Sequence, residues 1–146
     1  MTAPIEIELQ NTGQLSDATL RNLEPWLRKV VGTLAPDART LAVRLTGDEE
    51  LQKLNRNFRG VDRTTDILSF PGTETPEGRH LGDIVISVPT ARLQAAERDH
   101  HLLRELKILL LHGVIHCLGY DHESDDGEMD KMEADLRPVW IVDDGN

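Results

Sequence analysis

The stretch Leu102-Leu103-Arg104-Glu105-Leu106-Lys107-Ile108-Leu109-Leu110-Leu111-His112-Gly113-Val114-Ile115-His116-Cys117-Leu118 organises the reading of the whole chain. It is apolar nearly all round a helical wheel, which predicts a helix at the centre of the fold, covered on several sides. Two imidazoles interrupt it. His112 and His116 are four residues apart and share one face of such a helix. Desolvating imidazoles in so apolar a helix is costly unless something satisfies them. Gly119 can end the helix in a left-handed conformation and turn the chain back, and His122 follows. Three neutral imidazoles converging in this way would hold one zinc ion and leave its fourth tetrahedral position open, as in a catalytic rather than a closed structural site. The plain alternative is a pair of hydrogen-bonded core histidines. Imidazole donors also suit nickel and other divalent transition metals.

Outward from this helix, a length of 146 residues is a prior for one domain, residues 1–146. Such a chain buries about 70% of its unfolded surface. Hydrophobic content of 38% and charged content of 29% are those of a soluble globular protein. No apolar run approaches the roughly 20 residues that span a bilayer. The segment Met1-Thr2-Ala3-Pro4-Ile5-Glu6 lacks the regions of a signal peptide, and a lone Cys117 excludes an intrachain disulfide framework. The expectation is a cytoplasmic protein without membrane contact.

A net charge of −10 argues at first against a nucleic-acid partner. Its distribution changes that. Residues 121–146 hold ten acids against Lys131 and Arg137, whereas residues 1–120 hold 16 acids against 14 bases. Lys53, Arg56, Arg59 and Arg63 cluster against only Asp62. A polyanion can meet this basic segment while the acidic tail faces elsewhere. For any one of these charges the plain alternative is a solvated helix face.

Ile5 to Leu9 alternates with period two and predicts a strand. A helix capped by Ser16 runs toward Val31, with Pro25 expected to kink it or to begin its second half. Thr40 to Leu45 predicts a second strand. A helix then starts at Gly47-Asp48-Glu49-Glu50 and continues through Leu51, Leu54 and Phe58, its first-turn acids complementing the helix dipole. Asp66 to Phe70 reads as a short strand stopped by Pro71-Gly72, residues 72–80 as a flexible loop, and Leu81 to Val88 as the strongest strand. Pro89 suits the first position of a helix over Thr90 to Asp99. After the central helix, a last one from about Glu128 to Leu136 precedes Pro138. The order predicts an α+β fold: one small mixed sheet of about four strands packed by about five helices, the central apolar helix carrying the metal ligands.

Three blocks of sequence carry a family resemblance. The first is His112-Gly113, His116 and Gly119-Tyr120-Asp121-His122. The second is Asn55-Arg56-Asn57-Phe58-Arg59-Gly60 followed by Thr65-Asp66-Ile67-Leu68-Ser69-Phe70-Pro71, and the third is Leu81-Gly82-Asp83-Ile84-Val85-Ile86. Together, in this order, they resemble the YbeY-type bacterial rRNA maturation factors, single-domain metal-dependent endoribonucleases. The resemblance implies a three-histidine zinc site, a role for Arg59, and cleavage of rRNA and other single-stranded RNA. It implies work in maturing the 3′ end of small-subunit rRNA and in ribosome quality control, beside the small ribosomal subunit or its assembly proteins. Two departures stand out: Cys117 occupies a usually aliphatic position, and Val61-Asp62-Arg63-Thr64 is less basic than in many relatives.

A three-histidine zinc ion lowers the pKa of bound water to about 7 and polarises phosphoryl oxygens, both of use in phosphodiester hydrolysis. Zinc peptidases of similar geometry carry a glutamate base after the first histidine; here that position is Gly113. A mid-helix glycine admits either a close-lying substrate or tight helix–strand packing. Arg59 is the candidate for clamping the phosphate in bidentate fashion, and Lys53, Arg56 and Arg63 for further RNA contacts. Asp121, beside a ligand, is the candidate for orienting an imidazole or taking a proton, its alternative a turn former. Glu105, two helical turns before His112, and the strand-end Asp83 and Asp66 are candidates for supporting a ligand imidazole through its other nitrogen. Cys117 reads as a small buried apolar residue, and Met129 and Met132 as core. So few aromatics argue against base stacking as the main grip on RNA. His80, His100 and His101 lack partners at ligand spacing and read as surface residues. Two rivals stay open: a zinc metallopeptidase-like hydrolase, and a non-catalytic ribosome-associated RNA-binding factor with a structural metal.

Overall fold

The computed structural model describes residues 5–12, 15–120 and 125–142. In chain order the elements are β1 (Glu6–Asn11), α1 (Asp17–Leu34), β2 (Ala38–Thr46), α2 (Asp48–Arg59), β3 (Ile67–Pro71), β4 (Glu74–Thr75), β5 (Gly78–Ser87), α3 (Val88–Glu97), α4 (Leu102–Cys117) and α5 (Glu128–Trp140). The α+β architecture is as expected, with one more strand in the mixed sheet. The order is β1-β2-β5-β3, with β4 paired to β5. β1 and β2 run parallel, as do β2 and β5, while β3 is antiparallel to β5 and forms one edge.

Strand alternation sorts the side chains between two layers. Ile67 and Ser69 pair with Ile86 and Ile84, and face α4. Leu68 and Phe70 pair with Val85 and Asp83. Their face meets α2, where Leu51 and Leu54 pack on Leu68, Val85 and Phe70. α1, α4 and α5 lie on the first face and α2 on the second. α1 buries Leu23, Leu27, Val30 and Val31, the stripe of an amphipathic helix. α4 packs on β3, β5, α1, α3 and α5, and Leu106, Leu110, Val114 and Ile115 are fully enclosed. That is the central placement its all-round apolarity predicts.

Three boundaries differ from the sequence reading. Residues 72–80 are not a plain loop: Glu74 and Thr75 pair with Arg79 and Gly78. Gly78 takes φ +125°, which permits the tight return. α5 does not stop before Pro138 but runs to Trp140. Its end is pinned from outside the helix, because Trp26 Nε1 donates to the Trp140 carbonyl at 2.7 Å. α1 runs through Pro25, as the sequence reading has it, and ends at Leu34 rather than near Val31. The Ser16 cap is as expected, its hydroxyl accepting from the Thr19 amide at 3.2 Å. No helix among the described residues is long and apolar enough to cross a membrane.

Candidate metal centre and basic segment

α4 brings His112 and His116 to one face, half-buried. Each ring is held by a residue remote in sequence. His112 Nδ1 bonds Glu133 Oε1 of α5 at 2.5 Å. His116 Nδ1 lies 2.7 Å from Ser69 Oγ of β3. With Nδ1 engaged in both rings, Nε2 is the nitrogen each would offer to a metal, and the partners set tautomer and orientation. The Glu133 hydrogen bond raises the His112 pKa above its ordinary value, against the opposing effect of burial. Burial pushes the Glu133 carboxyl up, but the His112 hydrogen bond, with His112 and Arg137 nearby, outweighs it and holds the pKa below the usual range. The negative charge of Asp66 also favours the His112 cation. An imidazole made more basic toward a proton is also a better donor to a metal.

Gly119 has φ +110°, and its amide bonds the His116 carbonyl at 3.0 Å. The helix therefore ends on a positive-φ glycine, as the sequence suggests. Asp121 and His122, the expected third ligand and its neighbour, lie outside the described residues. Among the described residues no group of three His, Cys, Asp or Glu side chains comes together as a metal site. The two imidazoles on one face, their other nitrogens already tied, are the donor chemistry that a zinc ion completed by a third ligand would need.

Gly113 and Gly82 explain how α4 approaches the sheet so closely. A Cβ at Gly113 would lie 3.0 Å from Ile84 Cδ1 and 3.2 Å from Ile67 Cδ1. Position 113 therefore faces the sheet, and tight packing accounts for this glycine. A Cβ at Gly82 would lie 2.5 Å from Cys117 Sγ and 2.6 Å from the Phe70 carbonyl oxygen. Cys117 fills that notch and is 2% exposed. Met129 is fully buried, and Met132 packs beside it.

Two supporting candidates go elsewhere. Glu105 is 0% exposed, and its carboxylate accepts from Arg98 at 2.6 Å and bonds His100 at 2.6 Å. It shares an azimuth with His112, but seven residues of helix rise about 10 Å, beyond hydrogen-bond reach. Asp83 bonds His80 Nε2 at 3.2 Å. It pairs with Phe70 and so belongs to the α2 face, away from His112 and His116. His80 and His100 are thus partnered, not idle surface rings; His80 Nδ1 also meets Thr40 Oγ1 at 2.7 Å. The residues the sequence reading missed are Glu133 and Ser69. Each had a local signal. Glu133 is four residues from the buried Met129, on the apolar stripe of an otherwise acidic helix, and Ser69 takes the inward position two residues after Ile67.

The basic residues cluster at the end of α2 and in the loop behind it. Lys53, Arg56, Arg59 and Arg63 are all exposed. Gly60, at φ +71°, caps the helix directly after Arg59. Buried Asn55 donates to the Arg63 carbonyl at 3.0 Å and so ties the loop to the helix. Arg56 pairs with Asp62 at 3.7 Å, with both side chains more than half exposed, which makes a weak contact. This segment and the imidazoles lie on opposite faces of the sheet, and edge strand β3 separates them.

Fold and site together define a small α+β domain whose central helix presents an oriented histidine pair beside an edge strand. The solution structure of TM1509 from Thermotoga maritima shares the fold, with a TM-score of 0.63 and 30% identity over 92% of this chain and 89% of that one. The family described as Endoribonuclease YbeY matches residues 7–139. Among proteins named Endoribonuclease YbeY, that of Solibacter usitatus is 44% identical over 86% of this chain and 84% of its own. That of Aquifex aeolicus is 43% identical over 78% and 76%, and that of Nautilia profundicola 50% identical over 63% and 66%. The chain belongs to the YbeY endoribonuclease family.

Proposed function

We propose that this protein is a zinc-dependent endoribonuclease that cuts single-stranded RNA in the cytoplasm, acting in 3′-end maturation of small-subunit rRNA and in ribosome quality control. Its RNA would be met on the small ribosomal subunit or its assembly proteins. Membership of an endoribonuclease family supports the reaction class. The observation that carries the metal reading is the pair of imidazoles four residues apart, each held through Nδ1 by Glu133 or Ser69.

In this reading His112, His116 and His122 hold the ion, the first two through Nε2. Bound zinc supplies a water acidified to a pKa of about 7 and a Lewis acid for a phosphoryl oxygen. The protein's own part is orientation and charge. Glu133 and Ser69 fix the rings, and Asp121 is the candidate proton acceptor. Arg59 grips a phosphate with its planar fork, a geometry lysine lacks. Because Arg59 ends α2 and the imidazoles lie on the α4 face, the RNA strand must cross the edge of β3 to meet both. Lys53, Arg56 and Arg63 line the approach. The peptidase rival is weakened by position 113, which has no carboxylate and points into Ile84 and Ile67.

The test joins metal analysis to RNA cleavage. The purified protein should hold about one zinc per chain and cleave single-stranded RNA, losing activity with a chelator and regaining it with added zinc. Alanine at His112, His116 or His122 should abolish both metal and cleavage. Arg59→Ala should keep zinc and fold but lose most cleavage. Near-stoichiometric zinc in all three histidine variants, or cleavage indifferent to chelator, would sink the metal reading. Chelator-sensitive hydrolysis of casein in place of RNA would favour the peptidase.

A further inference from the structure

Phe58 lies in the last turn of α2 and is 67% exposed, whereas Trp26, Phe70, Tyr120 and Trp140 are all partly covered. An exposed apolar side chain is ordinary by itself. This one is held in place. Its ring meets that of Phe70 edge-on, centroids 5.4 Å apart and planes at 61°. Phe70 in turn is packed into the cluster of Leu51, Leu54, Leu68 and Val85. Cations flank it along the chain: Arg59 follows directly, Arg63 is carried on the loop that Asn55 ties to the helix, and Arg56, two residues back, lies round the helix. An anchored, open aromatic ring among cations is the combination that grips single-stranded nucleic acid, because any unpaired base can stack on it while phosphates meet the charges. Strand alternation adds a direction. Phe70 holds Phe58 on one side of β3, and its neighbour Ser69 holds His116 on the other.

We propose that the Phe58 ring is a stacking platform for one unpaired base of an RNA strand that continues over the β3 edge toward His112 and His116. The inference rests on the RNA reading above and names a residue that would enforce its preference for single strands. A base inside a duplex has both faces covered and cannot stack on Phe58 without leaving the helix. One ring is also consistent with the small number of aromatics, which leaves phosphate contacts as the larger part of the grip.

The experiment uses the zinc-loaded full chain and a short single-stranded RNA in which 2-aminopurine replaces one base, moved position by position. Stacking on an aromatic ring should quench the probe at one position. Phe58→Ala should lose that quench and weaken binding roughly 5- to 140-fold, the range that loss of one base–aromatic stack produces. Phe58→Trp should keep both, and binding to the same sequence as a duplex should not change. Melting temperature and zinc content serve as controls. Should Phe58→Ala melt early, Phe58→Leu keeps an apolar contact to Phe70 without a π face, and it too must lose the quench. A Phe58→Ala or Phe58→Leu protein that retains quench and affinity within twofold of wild type overturns the proposal while the RNA reading stands. A wild-type protein that neither binds nor cleaves single-stranded RNA overturns both.

Discussion

Glu133 and Ser69 act on the two helix-borne imidazoles through the same ring atom, but they differ in charge. A carboxylate on Nδ1–H raises imidazole basicity, whereas a hydroxyl mainly orients the ring. Glu133→Gln should weaken zinc binding by about 10- to 100-fold, with Ser69→Ala near the lower end of that range. Competition with a chromophoric chelator measures both, and unchanged affinity in Glu133→Gln would reduce this contact to simple packing. Cys117 contrasts with the histidines beside it. Burial, with the nearby charge of Asp83, pushes its thiol pKa up to about 12. The reactive species is the thiolate. The native protein should therefore leave a disulfide reagent unreacted at pH 8 and consume one equivalent after denaturation.

At the start of α2, Asp48 joins three elements. Its carboxylate receives the Ser87 hydroxyl from the end of β5 and the Thr90 hydroxyl of α3, the latter at 2.6 Å. These bonds, Ser87 first, hold its pKa below the ordinary value. A folded-state pKa below the unfolded one, near 3.9, means stability that is fully present above the unfolded pKa and lost as pH falls through the folded pKa. Asp48 is exposed, and solvent screening limits what its charge contributes, so Asp48→Asn should lower the melting temperature at pH 7 by a few degrees at most, no more than about 1 kcal/mol. The gap to wild type should close as pH drops below about 4. A gap that stays constant down to pH 2 would show that the charge is not what matters. Helix ends elsewhere rely on other devices: Ser16 and Ser87 cap α1 and α3, and Gly60 closes α2.

For the molecule entire, the cations that end α2 and the acids of α5 belong to opposite layers. The basic end of α2 lies on one face of the sheet. α5, with exposed Asp130 and Asp135, packs with α4 on the other. The end of α2 can therefore attract a polyanion locally despite the overall charge of −10. With Lys53, Arg56, Arg59 and Arg63 as the phosphate contacts, the logarithm of the RNA association constant should fall with the logarithm of salt at a slope of about −3 or shallower. Arg56→Ala should make the slope less steep by roughly 0.7. A salt-independent affinity, or a slope untouched by removing these charges one at a time, would place the RNA elsewhere.

Local chemistry made much of this legible from residues alone. The all-round apolarity of 102–118 foretold a central helix, and the four-residue spacing of His112 and His116 foretold one face. Gly119 marked a positive-φ stop and Ser16 a cap, because each of these properties is settled within a few residues of chain. The partners were not legible. Glu133 is 21 residues beyond His112 and Ser69 is 47 before His116, and bringing them together depends on strand order and helix packing. Period-two alternation separates Ser69 from Phe70 but cannot say that α4 covers one face and α2 the other. Glu105 is taken by Arg98 and His100, only seven and five residues back across the turn between α3 and α4. Packing of remote segments places Asp83 beyond reach of His112 and His116, and carries α5 past Pro138 to Trp140. Those outcomes are set by contacts between segments distant in sequence, which only the folded chain brings into register.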